Sequence, residues 1–207
     1  VDIIVTAGAS ATRPAKEATS TIPIVMTGDS DPVGSGIIAS LARPGGNITG
    51  LSTLAPELSG KRLELLKEIV PSLSRVAVLG TSTQPGNAQG LKEIELAAKA
   101  FGVKVQYLDV LSPKDIETAF RAAMKERADA MILVGSGVIN SQRDQIADRA
   151  LKSRLPAISG GRQDVEAGGL IFYGVNGNDL DRRAATYVDK ILKGAKPGGT
   201  RRAAEKV

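Results

Sequence analysis

The 207-residue sequence contains no cysteine, no histidine and no tryptophan, and only 3% of its side chains are aromatic. The lack of histidine removes the imidazole base that many enzymes use near neutral pH. The lack of cysteine removes thiol nucleophiles, disulfide bonds and thiolate metal ligands. Three phenylalanines and three tyrosines provide few rings on which nucleic-acid bases could stack. These absences exclude much ordinary enzyme chemistry and argue against nucleic acid as a partner.

Charged residues of both signs are mixed along the chain. Twenty-seven basic and 22 acidic residues give a net charge of +5, which by itself is compatible with nucleic-acid binding. However, basic and acidic residues alternate within predicted helices, as in the segment 61–64. The one dense basic stretch lies near the end, at Lys193, Lys196, Arg201 and Arg202. We interpret the excess of positive charge as solvated surface charge and predict no nucleic-acid partner.

Strand and helix patterns alternate from one end of the chain to the other. No apolar run approaches the roughly 18 residues of a membrane span, and the composition of 42% apolar and 24% charged residues excludes a wholly disordered chain. The alternation predicts an α/β fold with parallel sheets and right-handed crossovers. Strands are predicted at 1–6, 22–27, 48–52, 75–79, 103–110, 130–134, 156–159 and 170–173, and helices at 10–19, 31–41, 57–70, 87–101, 112–123, 141–154 and 178–193.

The predicted strands are divided unequally along the chain. Residues 75–173 supply five strands, enough for a complete sheet, whereas residues 1–52 supply only two or three. We therefore predict a partial first lobe at 1–52, a complete second lobe at 53–175, and a crossing helix and tail at 176–207 that return toward the first lobe. An opening on a buried strand predicts further sequence upstream. The open sheet edge of the partial lobe predicts a homodimer or an exchange of elements between copies.

Small and hydroxylated residues follow several strands, at the sheet edge where parallel sheets bind ligands. The loops are 7–10, 27–31, 80–84, 135–137 and 159–162. Free backbone N–H groups at the helix N-termini that follow would suit a carboxylate or a phosphate. In any single loop the same residues also serve as caps and tight turns. The candidate ligand-binding residues are Gly8, Ala9, Ser10, Gly28, Asp29, Asp31, Ser82, Ser136, Gly160 and Arg162.

Individual candidates have alternative roles. Asp29 has no capping role in the pattern, and we interpret it as a partner for a ligand ammonium group. Asp31 precedes a proline and either caps the helix that follows or contacts the ligand. Ser10 is the N-cap of its helix or a donor to a ligand carboxylate, and the two roles are compatible. Arg162 is either a solvated surface residue or a carboxylate contact.

The sequence carries no complete catalytic or nucleotide-binding motif. It has no phosphate-loop Gly-Lys-Ser or Gly-Lys-Thr and no Gly-x-Ser-x-Gly elbow. Gly135-Ser136-Gly137 begins like a dinucleotide loop, but Asn140 stands where the third glycine is needed. We therefore predict binding without enzymatic activity, without a metal and without a cofactor.

Several segments resemble one known family. They are 31–36 (Asp-Pro-Val-Gly-Ser-Gly), 40–51 (Ser-Leu-Ala-Arg-Pro-Gly-Gly-Asn-Ile-Thr-Gly-Leu), 57–68, 165–170 and 184–197. These segments are similar to motifs of the tryptophan/tyrosine-type substrate-binding proteins of ABC transporters. The resemblance covers residues 1 to about 197. It implies a type I periplasmic-binding fold, in which two Rossmann-like lobes, joined by crossing segments such as 49–56 and 174–178, close over a small ligand.

The resemblance also implies a function and a location. It implies a periplasmic or membrane-anchored extracytoplasmic protein that passes an amino acid or a related small carboxylate to a membrane permease. The loops at 8–10 and 28–29 would serve one side of the ligand, and Ser82, Ser136 and 160–162 the other. A ligand-sensing domain of a transcriptional regulator with the same architecture is the first alternative, and an enzyme on this fold is the second.

The chain departs from the family at several places. The family has two further βα units before position 1 and a strand-containing segment after about position 200. An aromatic residue that is common near Gly161 is absent, and we expect a ligand that is not held by aromatic stacking, or a larger one.

Overall fold

The computed structural model describes residues 1–84 and 86–199. The chain divides into two compact units, a terminal unit made of residues 1–54 with the chain from Val175 onward, and a central unit made of Ala55–Gly174. Within the described ranges, no helix has the length and apolar character to cross a membrane. In chain order the elements are β1 (Ile4–Thr6), α1 (Ala9–Ala18), β2 (Ile24–Asp29), β3 (Ile48–Ser52), α2 (Ala55–Ile69), β4 (Arg75–Gly80), α3 (Asn87–Phe101), β5 (Lys104–Asp109), α4 (Asp115–Lys125), β6 (Ala130–Leu133), α5 (Gly137–Ser141), α6 (Arg143–Lys152), β7 (Ala157–Ser159), α7 (Arg162–Glu166), β8 (Ile171–Phe172), α8 (Gly177–Leu192) and a 3-10 turn (Pro197–Gly199).

The terminal unit is a three-stranded parallel sheet in the order β1-β2-β3. Successive side chains of a strand point to opposite faces, and β2 therefore contributes to two cores. Ile24 and Met26 pack on one face with Ala9 of α1, whereas Val25 packs on the other face with Leu180 of α8. The sheet is thus covered by helices on both sides, as the apolar pattern of a parallel strand predicts.

The prediction of a helix at 31–41 is wrong, because residues 32–36 form turns instead. Asp31 still caps the segment, since its Oδ1 accepts a hydrogen bond from Gly34 N at 2.8 Å. Gly34 and Gly36 weaken the helix, and Gly36 takes a left-handed φ of 71° that a helix cannot contain. The apolar pattern nevertheless marks Ile37 and Ile38 correctly, since both are buried.

The central unit is a five-stranded parallel sheet in the order β5-β4-β6-β7-β8. Its strand β4 alternates between two cores: Ala77 and Leu79 face α4 and α6, and Val76 and Val78 face α2 and α3. The five strands predicted within 75–173 are therefore confirmed, as is the α/β class. All carboxyl ends of this parallel sheet lie at one edge, which brings the candidate loops of the unit to that edge.

Two helical segments of the central unit differ from the prediction by more than their end residues. The helix predicted at 141–154 is two helices, α5 and α6, interrupted at Gln142. The five-residue helix α7 was not predicted, because its length of little more than one turn gives no apolar period to detect. By contrast, α3 ends as predicted, at Gly102 in the left-handed conformation with a φ of 66°.

Asp129 joins the beginnings of β4 and β6 in the central unit. Its Oδ2 accepts hydrogen bonds from Ser74 N at 2.8 Å, Ser74 Oγ at 2.9 Å and Arg75 N at 2.9 Å. These donors favour the ionised form, and they hold the pKa of the Asp129 carboxyl below its ordinary value of 3.8.

Asp129→Ala is expected to lower the free energy of unfolding at pH 7 by about 1 kcal/mol, since three donors lose their acceptor. Because the pKa of Asp129 is lower in the folded state, its carboxylate stabilises the protein fully above pH 3.8. This contribution is lost as the pH falls from 3.8 through the lower folded-state pKa. The difference between variant and wild type should therefore shrink below about pH 4. Urea unfolding as a function of pH measures it, with exposed Glu95→Ala on α3 as the control. A difference that stayed constant down to the lowest pH would contradict this role.

Candidate functional site

The first candidate loop of the terminal unit connects β1 to α1. Gly8 is the N-cap of α1 with a φ of 75°, and Ala9, the first residue of the helix, is buried. Ser10 lies exposed in the first turn, and the prediction that Ser10 is the N-cap is therefore wrong. The chain turns at the glycine because a positive φ suits a residue without a Cβ. A ligand contact by Ser10 stays a prediction.

Asp29 ends β2 and is the most deeply buried acidic residue of the terminal unit, with 0% of its surface exposed. Its Oδ1 accepts one long hydrogen bond, from Asp31 N at 3.3 Å. Its Oδ2 is buried and has no hydrogen-bond partner among the described residues. Burial raises the pKa of the Asp29 carboxyl, and Asp31 raises it further, whereas backbone donors and Arg13 lower it.

Gly28, which precedes Asp29, has a backbone conformation that favours glycine. Its φ is 142°, and a Cβ there would lie 3.4 Å from Leu180 Cδ1. Thr53 N donates to Asp29 O at 2.9 Å, which fixes the backbone of the aspartate. The position of the Asp29 carboxylate is therefore set by the sheet and by packing, while one of its oxygens is left without a donor.

A buried hydroxyl network links three strand ends of the central unit. The hydroxyl oxygens of Thr81 and Ser136 lie 2.7 Å apart, and Thr81 Oγ1 also lies 2.8 Å from Val110 O. Asn87 Oδ1 accepts from Thr81 N at 3.3 Å, and its Nδ2 donates to Gly135 O at 3.2 Å. Ser136 is also the N-cap of α5, with its Oγ accepting from Ile139 N at 3.2 Å. The structure thus places Ser136 inside the unit, with its hydroxyl already bonded.

Ser82 lies at the same edge but is exposed. Its Oγ donates to Asp109 Oδ2 at 2.7 Å, and its N–H donates to Asp109 Oδ1 at 2.8 Å. These donors lower the pKa of Asp109. Burial, and secondarily the Asp109 charge, raise the pKa of Tyr107 to about 12, so that its phenol stays protonated at neutral pH.

Arg162 lies on the surface at the start of α7, where its Nε donates to Glu166 Oε1 at 3.1 Å. Its side chain is 69% exposed, and an exposed pair four residues apart contributes only a few tenths of a kcal/mol. The preceding Gly160 lies instead against another arginine. A Cβ at Gly160 would lie 2.6 Å from Arg62 Nη2.

Arg62 was not among the predicted site residues, although it is the deeply buried cation of the central unit. Only 4% of its surface is exposed. Its Nε donates to Tyr173 O at 2.8 Å, and its Nη1 donates to Ser59 Oγ at 3.2 Å. Burial lowers its pKa to about 10, which leaves the guanidinium charged at neutral pH. The available signal was its place on the inward stripe of α2, beside Leu63 and Leu66.

Metal chemistry has no visible basis in the part of the chain that the structure describes. No group of three or more acidic side chains there is arranged to hold a metal ion. The strand ends instead present an orphaned carboxylate oxygen in one unit and, in the other, a hydroxyl network and a buried guanidinium. Such groups bind polar ligands by hydrogen bonds and charge.

Comparison with known proteins places the chain in a family. The model of the family described as "ABC transporter substrate binding protein" matches residues 1–206. The tyrosine-binding protein of Clostridioides difficile is 24% identical over 197 residues, which are 95% of this chain and 56% of that protein. The chain therefore spans little more than half the length of this curated relative.

Two solved structures share both fold and sequence with the chain. A Streptococcus pneumoniae ABC domain in complex with L-Trp has a TM-score of 0.90 and 26% identity, over 100% of this chain and 69% of that one. A conserved domain protein of Vibrio cholerae has a TM-score of 0.89 and 30% identity, over 99% and 68%. With the family match over nearly the whole sequence, they show that the chain belongs to the ABC transporter substrate-binding protein family, whose members are non-enzymatic solute-binding proteins.

Proposed function

We propose that this chain is part of the solute-binding component of an ABC importer and that its ligand is an amino acid. The observation that carries the proposal is the carboxylate of Asp29, fully buried at the carboxyl end of β2 with one oxygen left without a donor. The names of two relatives, a tyrosine-binding protein and a domain in complex with L-Trp, support the same class of ligand.

A buried carboxylate with one oxygen left without a donor is costly when ionised. Its desolvation costs several kcal/mol unless a cation or strong donors compensate. An ammonium group supplies a positive charge and three N–H donors, and it is the compact partner that an orphaned carboxylate oxygen accepts best. Arg13, whose charge lowers the pKa of Asp29, does not bond to it but to Ser35 O at 3.0 Å. In this proposal the α-ammonium group of the ligand is the missing partner.

The wider role of the protein follows from the family. Its partner in this proposal is a membrane permease that receives the amino acid, and the place of action is outside the cytoplasm. No observation here favours the regulator or the enzyme over this role, and the family match favours the solute-binding component.

The direct test is isothermal titration calorimetry of the full chain against the twenty amino acids. At least one amino acid is expected to bind with a Kd of about 10 μM or tighter, equivalent to about 7 kcal/mol. Its analogue without the α-ammonium group should bind at least about 100-fold more weakly, because a buried charge is then left unpaired. Folding is checked by circular dichroism in the same buffer. A folded protein that bound none of the twenty would overturn the proposal.

A further inference from the structure

Arg62 is a buried charge without a counter-charge. With 4% of its surface exposed, it lies between α2 and the segment that follows β8. No ion pair joins it to a carboxylate within residues 1–84 and 86–199. An isolated buried ion is expensive, and buried charges are normally paired. A bound anion would supply the counter-charge that Arg62 lacks.

The unused donors of Arg62 lie at the ligand-binding edge of the sheet. Of its guanidinium nitrogens, Nε donates to Tyr173 O and Nη1 to Ser59 Oγ. Nη2 donates to no described residue, and it is the nitrogen that lies against Gly160. Gly160 directly follows β7, and Tyr173 directly follows β8. The free edge of the guanidinium thus lies where two neighbouring strands end.

Gly160 makes room for this arrangement. An alanine Cβ at that position would lie 2.6 Å from Nη2 of Arg62, closer than real contacts allow, and 3.1 Å from its Cζ, which is a tight contact. A role in holding Tyr173 O would use one donor and would not need a charge. Because residue 160 is a glycine, the guanidinium can lie against the backbone at the end of β7 with Nη2 left to donate to an oxygen acceptor.

We propose that Nη2 of Arg62 binds the carboxylate of a small ligand at the ends of β7 and β8, so that the central unit by itself recognises this group. This proposal rests on the proposed function only in that the ligand carries an acid group, and it concerns residues of the central unit alone. A charge-assisted N–H···O bond to Nη2 would supply the counter-charge that Arg62 lacks. The guanidinium keeps its charge at neutral pH, because its lowered pKa of about 10 is still well above 7.

The test is NMR of the arginine Nε–H groups of the full chain, with sodium acetate as the carboxylate probe and sodium chloride as the control salt. The Arg62 signal, assigned by its absence in Arg62→Lys, should shift saturably with acetate and stay unchanged with chloride. In Gly160→Ala the acetate response should weaken at least tenfold. Gly137→Ala is the matched control, because a Cβ there meets nothing within 4 Å. An Arg62 signal that acetate does not move would overturn the proposal.

Calorimetry separates this proposal from the proposed function. If an amino acid binds, Gly160→Ala should weaken the binding of that amino acid at least tenfold. The binding of the corresponding amine without the carboxylate should be unaffected. Equal losses for both ligands would contradict the role of Arg62 and leave amino-acid binding intact. An acetate response without any amino-acid binding would overturn the proposed function and support the carboxylate site.

Discussion

Gly50→Ala is expected to remove most of the stability of the terminal unit. Gly50 lies in the middle of β3 with a φ of 140°, a conformation that alanine rarely adopts. An added Cβ would lie 2.1 Å from Met26 O and 2.6 Å from Met26 N on the neighbouring strand. These are backbone atoms of the central strand of a three-stranded sheet, and they cannot move without breaking the pairing of β2 and β3. We expect a loss of more than about 3 kcal/mol, from backbone strain and overpacking together.

Hydrogen exchange measured by mass spectrometry checks this prediction, because it reports on each unit separately. Peptides covering β2 and β3 should exchange much faster in Gly50→Ala, whereas peptides of the five-stranded sheet should be less affected. Gly177→Ala, at the start of α8 in the same unit, is the control, since its Cβ would meet nothing within 4 Å. Unchanged protection of residues 24–29 would show that the sheet tolerates the extra carbon.

Helices and strands that depend on apolar periodicity and on local capping residues can be predicted from the sequence. Helix α3 was predicted with the boundaries that the structure shows, because its apolar stripe is closed by a glycine that takes the left-handed conformation. The five strands of the central sheet were predicted from continuous apolar runs. The prediction of a helix at 31–41 is wrong because its apolar spacing is helical, whereas Gly34 and Gly36 make a helix unfavourable there.

Contacts between segments that lie far apart in the sequence cannot be predicted from local sequence patterns. The network of Thr81, Asn87 and Ser136 joins residues up to 55 positions apart, and it forms only once three strands lie side by side. Arg62 reaches an oxygen 111 positions away, and in the sequence it is one of several charged residues of a helix. Asp29 is a candidate from the sequence because it follows a buried strand, but only the structure shows that one of its oxygens has no donor.

Asp29→Asn is expected to abolish amino-acid binding without destabilising the protein. The amide keeps the size of the side chain and the acceptor for Asp31 N, but it loses the charge that an ammonium group requires. In the proposed site the affinity should fall at least about 100-fold, or about 2.7 kcal/mol, as measured by calorimetry with the amino acid that the wild type binds. Asp181→Asn, exposed on α8 of the same unit, should bind as the wild type does.

The stability of the same variant gives a second, independent readout. Because burial raises the folded-state pKa of Asp29 above 3.8, the folded state binds more protons than the unfolded state between 3.8 and that raised value. The contribution of Asp29 to stability is therefore highest below pH 3.8 and is lost as the pH rises through this window, with the neighbouring charges of Asp31 and Arg13 acting in opposite directions. Asp29→Asn lacks this decline and should be at least as stable as the unliganded wild type at pH 7 in urea unfolding. Lost affinity together with unchanged or higher stability is what we expect of a residue that binds ligand and destabilises the ligand-free protein. If Asp29 only supported the fold, its substitution would lower stability and affinity together.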